Sequence, residues 1–177
     1  MPATIDDLRF PVGPFVEVPP DTTVRQRAIA DIAALPARMR EAVDGLTDAQ
    51  LDTAYRPGGW TVRQVVHHAA DSHMNAFVRL KLALTEQSPT IKPYDEKAFA
   101  GLADMRLPVA VSLDLLASIH ARWVAIYASM TDADFSRTFV HPEFAEPQSL
   151  ERQAQTYGWH SRHHVAHITA LRQREGW

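Results

Sequence analysis

An all-α four-helix bundle with an extended, proline-rich N-terminal arm is the fold this sequence predicts. Three observations lead there. Four long stretches carry apolar residues at spacings of three and four, the mark of a helix with one buried face. Prolines and glycines punctuate the connections between them, and no segment alternates well enough to read as a strand. The length of 177 residues, with 46% hydrophobic and 22% charged, is that of one globular domain able to bury a sizeable core.

Residues 1–20 hold five prolines and little periodicity, so they read as an arm laid over the domain rather than as a regular element. From Val24 to about Val43, Ile29, Ile32, Pro36, Met39 and Val43 mark the face of helix one, with Pro36 expected to kink it. Thr47 and Gln50 have the spacing of a capping box opening a short turn, and "RPGG" at 56–59 punctuates the chain before Trp60. Thr61 and Gln64 repeat that box at the start of helix two, whose stripe of Val62, Val65, Ala69, Ala76 and Leu80 runs to about Glu86. A short element over 95–100 leads through Pro108 to helix three, roughly Ser112 to Met130, with Leu115, Ile119, Trp123 and Ile126 facing inward. "HPEFAEPQS" is a loop, and Ser149 caps a last helix from Leu150 to about Arg174, with Glu151 in its positive first turn.

Composition narrows the function. A net charge of −3 with both signs interspersed offers no general attraction for nucleic acid or anionic lipid, and no membrane span is expected. With no cysteine, any metal or covalent chemistry falls to histidine, carboxylate or water. The first residues are acidic and lack the apolar run of a secretory signal, so the default location is cytoplasmic.

Four of the nine histidines, His160, His163, His164 and His167, fall within eight consecutive positions of the last helix. At 100° per residue they fall within an arc of about 100°, on a face that also carries Thr156, Tyr157, Ile168 and Leu171, which turns them toward the bundle interior. Buried imidazoles without partners cost about 1–3 kcal/mol each, a penalty that a metal ion removes. A solvated or interface-lining patch is the competing reading. A helical pair supplies two ligands and an open catalytic site wants a third protein group. His68 and His73 on helix two are nearly tied for that place, since His73 lies at the centre of the apolar stripe and His68 at its polar border. His67 points mostly away, and His67 and His120 suit surface or satisfied-core roles; His141 is a further candidate in a loop.

The blocks "YRPGGWTVRQVVHHAADSHMN", "KPYDEKAFA", "HARW" and "YGWHSRHHVAHI" resemble, in order and spacing, those of the DinB-like superfamily and its YfiT branch over about residues 40–177. "FPVGPF" echoes that branch's N-terminal pattern only loosely. The resemblance implies a divalent ion, zinc or nickel, held inside the bundle by one histidine of helix two and two of the last helix. Trp60 eight residues before it and Asp71 three after select His68, and the first and fifth positions of "HSRHH" select His160 and His164. It also implies a homodimer, a small-molecule substrate, and one of two activities, metal-dependent hydrolysis or S-transfer from a bacillithiol-type thiol. Three neutral imidazoles leave a +2 charge largely uncompensated, which ionises water or a thiol near neutral pH. Asp71, Glu143 and Tyr157 are the candidates for catalytic or orienting roles. The non-enzymatic alternative is a binding module with a structural metal, closed by a fourth ligand from His163 or His167.

Overall fold

The computed structural model describes residues 4–177. Its helices are α1 (Ile5–Arg9), α2 (Thr22–Val43), α3 (Asp48–Leu51), α4 (Val62–Thr85), α5 (Glu96–Phe99), α6 (Val109–Ser129), α7 (Asp132–Phe135) and α8 (Leu150–Glu175), with a 3₁₀ turn at Ala103–Arg106. The long ones, α2, α4, α6 and α8, form the four-helix bundle. Three of their starts are set by local chemistry: Asp21 accepts from the Val24 amide ahead of α2, the Thr61–Gln64 capping box opens α4, and Ser149 accepts from the Arg152 amide ahead of α8; the Thr47–Gln50 box also forms and opens the short α3.

Two expectations need correction. The arm contains a regular element, α1, because Thr4 and Asp7 close a capping box of their own around "IDDLR"; residues 1–3 of the arm lie outside the described residues. Two strands also exist. β1 (Thr138–Phe139) pairs antiparallel with β2 (Gln148–Ser149), in the register Thr138 to Ser149. At two residues each they are too short for any alternation to show in sequence. Two smaller differences concern α6: Leu115 is exposed, and the helix is long and apolar enough by composition to pass for a membrane span. Its inward residues Leu113, Leu116, Ile119 and Trp123 pack in the bundle core.

Helix α2 lies against α8 and α6, and α4 lies against α6 and α8. The sequence neighbours α2 and α4 therefore stand on one diagonal, and α6 and α8 on the other. This places α4 and α8 side by side although about 65 residues of chain separate them, which short up-down connections would not do. The core is divided in two. One apolar cluster gathers Leu35, Met39, Val62, Val65, Leu116, Ile168 and Leu171, and the other Ile32, Phe77, Leu80, Trp123, Leu150 and Ala154. Between them, at the same height on α4, α6 and α8, lies a waist of buried histidines including His73, His120 and His164.

Helices α2 and α8 meet closely at Gly158, two residues before the waist. A Cβ added there would stand 2.7 Å from Ala28 Cα and 2.9 Å from Ala28 Cβ. Alanine would strengthen the isolated helix by about 1 kcal/mol, but overpacking a backbone contact costs about 1–3 kcal/mol and cannot be relieved by a rotamer change. Gly158→Ala should therefore lower the melting temperature, at about 2–4 °C per net kcal/mol lost. Thermal denaturation checks this, and an unchanged or raised midpoint would show that α2 and α8 separate without cost.

Candidate metal centre

His68 from α4 and His160 and His164 from α8 converge at one end of the waist. One nitrogen from each lies within 4.8 Å of the other two, and His68 and His164 are buried while His160 is half-buried. The Nε2 atoms of His160 and His164 are 3.1 Å apart. His68 closes the triangle with ring centroids 4.9 Å from His164 and 5.6 Å from His160, and Trp60 covers its outer side at 4.4 Å. The turn before α4 puts Trp60 there. Gly58 adopts a left-handed φ of 67°, and Tyr55 N–H donates to the Trp60 carbonyl at 3.1 Å, so "YRPGGW" folds back over the site.

The remaining nitrogens identify the protonation of each ring. His120 Nδ1 is 2.5 Å from the Ile32 carbonyl, an acceptor only, so Nδ1 donates. That carbonyl is free because its helical donor would be the amide of residue 36, and Pro36 has none. Burial pushes His120 down to about 4, so the ring is neutral and its Nε2 accepts from His73 Nδ1 at 3.0 Å. His73 is in turn neutral through burial, and its Nε2 accepts from His160 Nδ1 at 3.0 Å. The chain ends with a bare lone pair on His160 Nε2.

A second chain reaches the same place from the arm. The Arg9 carbonyl, at the C-terminal end of α1 where no helical donor follows, accepts from His167 Nε2 at 3.0 Å. His167, held by burial at about 4, is neutral and takes its remaining contact from His164 Nδ1 at 3.4 Å. His164 Nε2 is then bare as well. Two lone pairs face each other at 3.1 Å with burial holding both rings neutral, an arrangement that repels unless a cation lies between. Nitrogens sharing one ion at the usual metal–imidazole length of about 2.0–2.1 Å lie about 2.9–3.4 Å apart, so the pair fits a divalent metal.

The other histidines have separate roles. His67 does not point away from the protein: it is buried under the chain after the 3₁₀ turn, 2.7 Å from Ser112 Oγ and 3.0 Å from the Leu107 carbonyl, a satisfied core residue. His73, tied with His68 in sequence, lies behind the triad and links His160 to His120. His163 stacks on Trp159 at 4.3 Å and leaves a buried Nδ1 without a partner. His141 lies in the β1–β2 loop and lines a different cavity. Of the catalytic candidates, Asp71 is half-buried and pushed up to about 6 by burial and by Asp104, and its carboxylate bonds no imidazole among the described residues. Glu143 is on the surface 4.0 Å from His141 Nδ1. Tyr157 stands edge-on to His73 at 4.9 Å and donates to the Ser72 carbonyl at 3.3 Å, so it walls the centre from behind.

A cavity of about 590 Å³ opens onto the triad. Arg9, Arg56 and Lys97 line it with one acid, Glu96, whose carboxyl burial raises. Tyr55 stacks on His167 at 3.9 Å along its wall. Helical periodicity could not find these residues, since they come from the arm, a turn and α5; the arginine of "YRPGG" and the basic end of "IDDLR" were the available signals.

If the triad binds a metal, removing an anchor should loosen the candidate ligands without touching them. His120→Leu leaves His73 without its acceptor, and replacement of such an outer partner typically lowers metal affinity about 10–100-fold. Competition with a chromophoric chelator would measure it, and unchanged affinity would show that the chain does not orient His160. The pH dependence follows from the same burial. Folded values near 4 lie below the 6.5 of a free histidine, so the unfolded chain binds more protons below 6.5. Stability of the metal-free protein should be full above pH 6.5 and fall progressively as pH drops toward 4, read as a declining denaturation midpoint. A flat profile over that window would contradict neutral buried rings.

Residues 24–168 match the DinB superfamily. The chain is 51% identical over 172 residues to a Bacillus mycoides protein named "Putative metal-dependent hydrolase", covering 97% of this chain and 99% of that one. A Bacillus cereus protein of the same name is also 51% identical, over 98% of this chain and 100% of its own. Among solved structures, YfiT from Bacillus subtilis, described as "a probable metal-dependent hydrolase with an unusual four-helix bundle topology", superposes with a TM-score of 0.93 at 47% identity, covering 97% of this chain and 99% of that one. The diagonal helix order and the three-histidine cluster thus sit in a chain that belongs to the DinB superfamily.

Proposed function

We propose that this protein is a metal-dependent enzyme in which His68, His160 and His164 hold one divalent ion, zinc or nickel, and present it to a small anionic substrate. The observation that carries this reading is the pair of bare Nε2 atoms 3.1 Å apart, at the cavity, with His68 beside them. Bound there, a divalent ion supplies the charge that ionises a thiol or a water near neutral pH. The protein's own residues do the rest. His73 and His167 hold the Nδ1 protons of His160 and His164, keeping both Nε2 atoms as ligands. Trp60 and Tyr55 restrict water around the triad, and Arg9, Arg56 and Lys97 offer cationic anchors for the substrate.

These cations favour a low-molecular-weight thiol carrying carboxylates, of the bacillithiol type, transferred to an electrophile; an ionised thiol needs no general base. Hydrolysis is the second reading, supported by the relatives' names and by Glu96 at the cavity, which could take a proton from water. A closed structural site fits less well. His167 has both nitrogens engaged, by Arg9 and His164, and His163, although its Nδ1 is unpartnered, stacks on Trp159 and brings no nitrogen into the group formed by His68, His160 and His164. The reading further takes the protein to be a cytoplasmic homodimer with no nucleic-acid or membrane partner.

Purified protein should carry about one divalent ion per chain by elemental analysis. His68→Ala, His160→Ala and His164→Ala should each lose most of it, whereas His67→Ala should keep it and lose only stability, about 1–3 kcal/mol for the partners left unpaired. Thioether formation from bacillithiol and an alkylating electrophile near pH 7 should outpace the uncatalysed reaction and stop when the metal is removed. Metal-dependent ester or amide hydrolysis without thioether formation would support the second reading, and a full metal complement in all three variants would contradict both.

A further inference from the structure

A second cavity of about 420 Å³ lies on the flank of the bundle, between α4, α8, the arm and the β1–β2 loop. It shares no lining residue with the cavity at the triad. Tyr157 is its inner wall and also stands against the rings of His73 and His160, so the two spaces lie back to back.

Its lining combines three features. Phe15, Phe139 and Phe144 supply flat apolar surface from three separate segments. Arg79 contributes a guanidinium that, among the described residues, pairs with no carboxylate, whereas the neighbouring Arg152 is engaged by Glu17 and Gln148. Gln153 is 96% buried; its Nε2 donates to the Ala76 carbonyl at 3.1 Å, and its Oε1 is a buried acceptor with no donor. A buried amide oxygen without a donor is costly to keep for packing alone, and beside it the half-buried Arg79 leaves a guanidinium at the open side of the same cavity. Neither is needed to hold the metal ligands.

From this combination we propose that the flank cavity is a binding site for a small aromatic carboxylate bearing a hydroxyl or N–H group. The ring lies among the phenylalanines, the carboxylate pairs with Arg79, and the donor meets Gln153 Oε1. Glu143, on the rim with its side chain 71% exposed, opposes a second negative charge and so favours a monoanion. The volume suits a ligand of one ring and two short substituents. This site does not depend on the metal reading.

Calorimetric titration of the full-length protein with 4-hydroxyphenylacetate, phenylacetate and tyramine tests it. The first should bind saturably with one site per chain, and the others about tenfold or more weakly, phenylacetate because it lacks the hydroxyl donor and tyramine because it carries an ammonium in place of the carboxylate, facing Arg79. Arg79→Gln should weaken 4-hydroxyphenylacetate at least tenfold and bring it level with tyramine. Phe144→Ala, on a half-exposed loop residue whose loss leaves the core intact, should weaken all three. His68→Ala should change none of them, which separates this site from the triad. Absence of saturable binding in the millimolar range, equal affinity for the three probes, or affinity unaffected by both Arg79→Gln and Phe144→Ala would overturn the proposal, as would loss of binding in His68→Ala.

Discussion

The hydrogen bond from His120 Nδ1 to the Ile32 carbonyl, 2.5 Å long, is the contact on which the order of the histidine waist depends. It exists because Pro36 cannot donate within α2, leaving one carbonyl in the middle of a long helix free to face the interior. From that single acceptor the direction of each following bond is fixed, through His73 to His160. The Arg9 carbonyl plays the same part for His167 and His164, freed by the end of α1 instead of by a proline. Two helix carbonyls without helical donors thus set the protonation of five buried rings.

Diagonal connectivity makes this possible. With α2 and α4 opposite each other, α8 fits between them and meets α2 closely at Gly158, and α4 and α8 can bring His68 against His160 and His164. The apolar clusters above and below the waist bury His73 and His120 from water, so these imidazoles stay neutral and their hydrogen bonds strong, while the triad end opens onto the cavity. The arm completes the site from outside: Trp159 Nε1 donates to the Gly13 carbonyl and Gln155 bonds both backbone groups of Val18, which ties Arg9 and its segment onto α8.

Much of the fold was legible because the signals were local. The capping box at Thr61, the cap at Ser149 and the apolar periodicity mark the four long helices, and the box at Thr47 marks the short α3. What was hidden depended on partners distant in sequence. A helical wheel could not rank His68 against His73, since both face inward and the difference lies in which ring stands level with the open side of α8. His67 lies off the stripe, and its burial comes from Leu107 and Ser112 crossing over it. In sequence Pro36 signals only bending, whereas its consequence for the site is a free carbonyl that the position of His120 on α6 turns into an anchor. The basic lining of the cavity comes from three connecting segments and has no periodicity to reveal it.

The protonation of the rings is measurable directly. Long-range ¹H–¹⁵N correlation spectra of the metal-free protein, with ¹⁵N-labelled histidine at neutral pH, distinguish Nδ1–H from Nε2–H tautomers and both from imidazolium. His120, His73, His160 and His164 should carry the proton on Nδ1, and His167 on Nε2. An Nε2–H tautomer or a charged ring at His160 or His164 would contradict the account, because the lone pairs proposed to take the metal would then not exist.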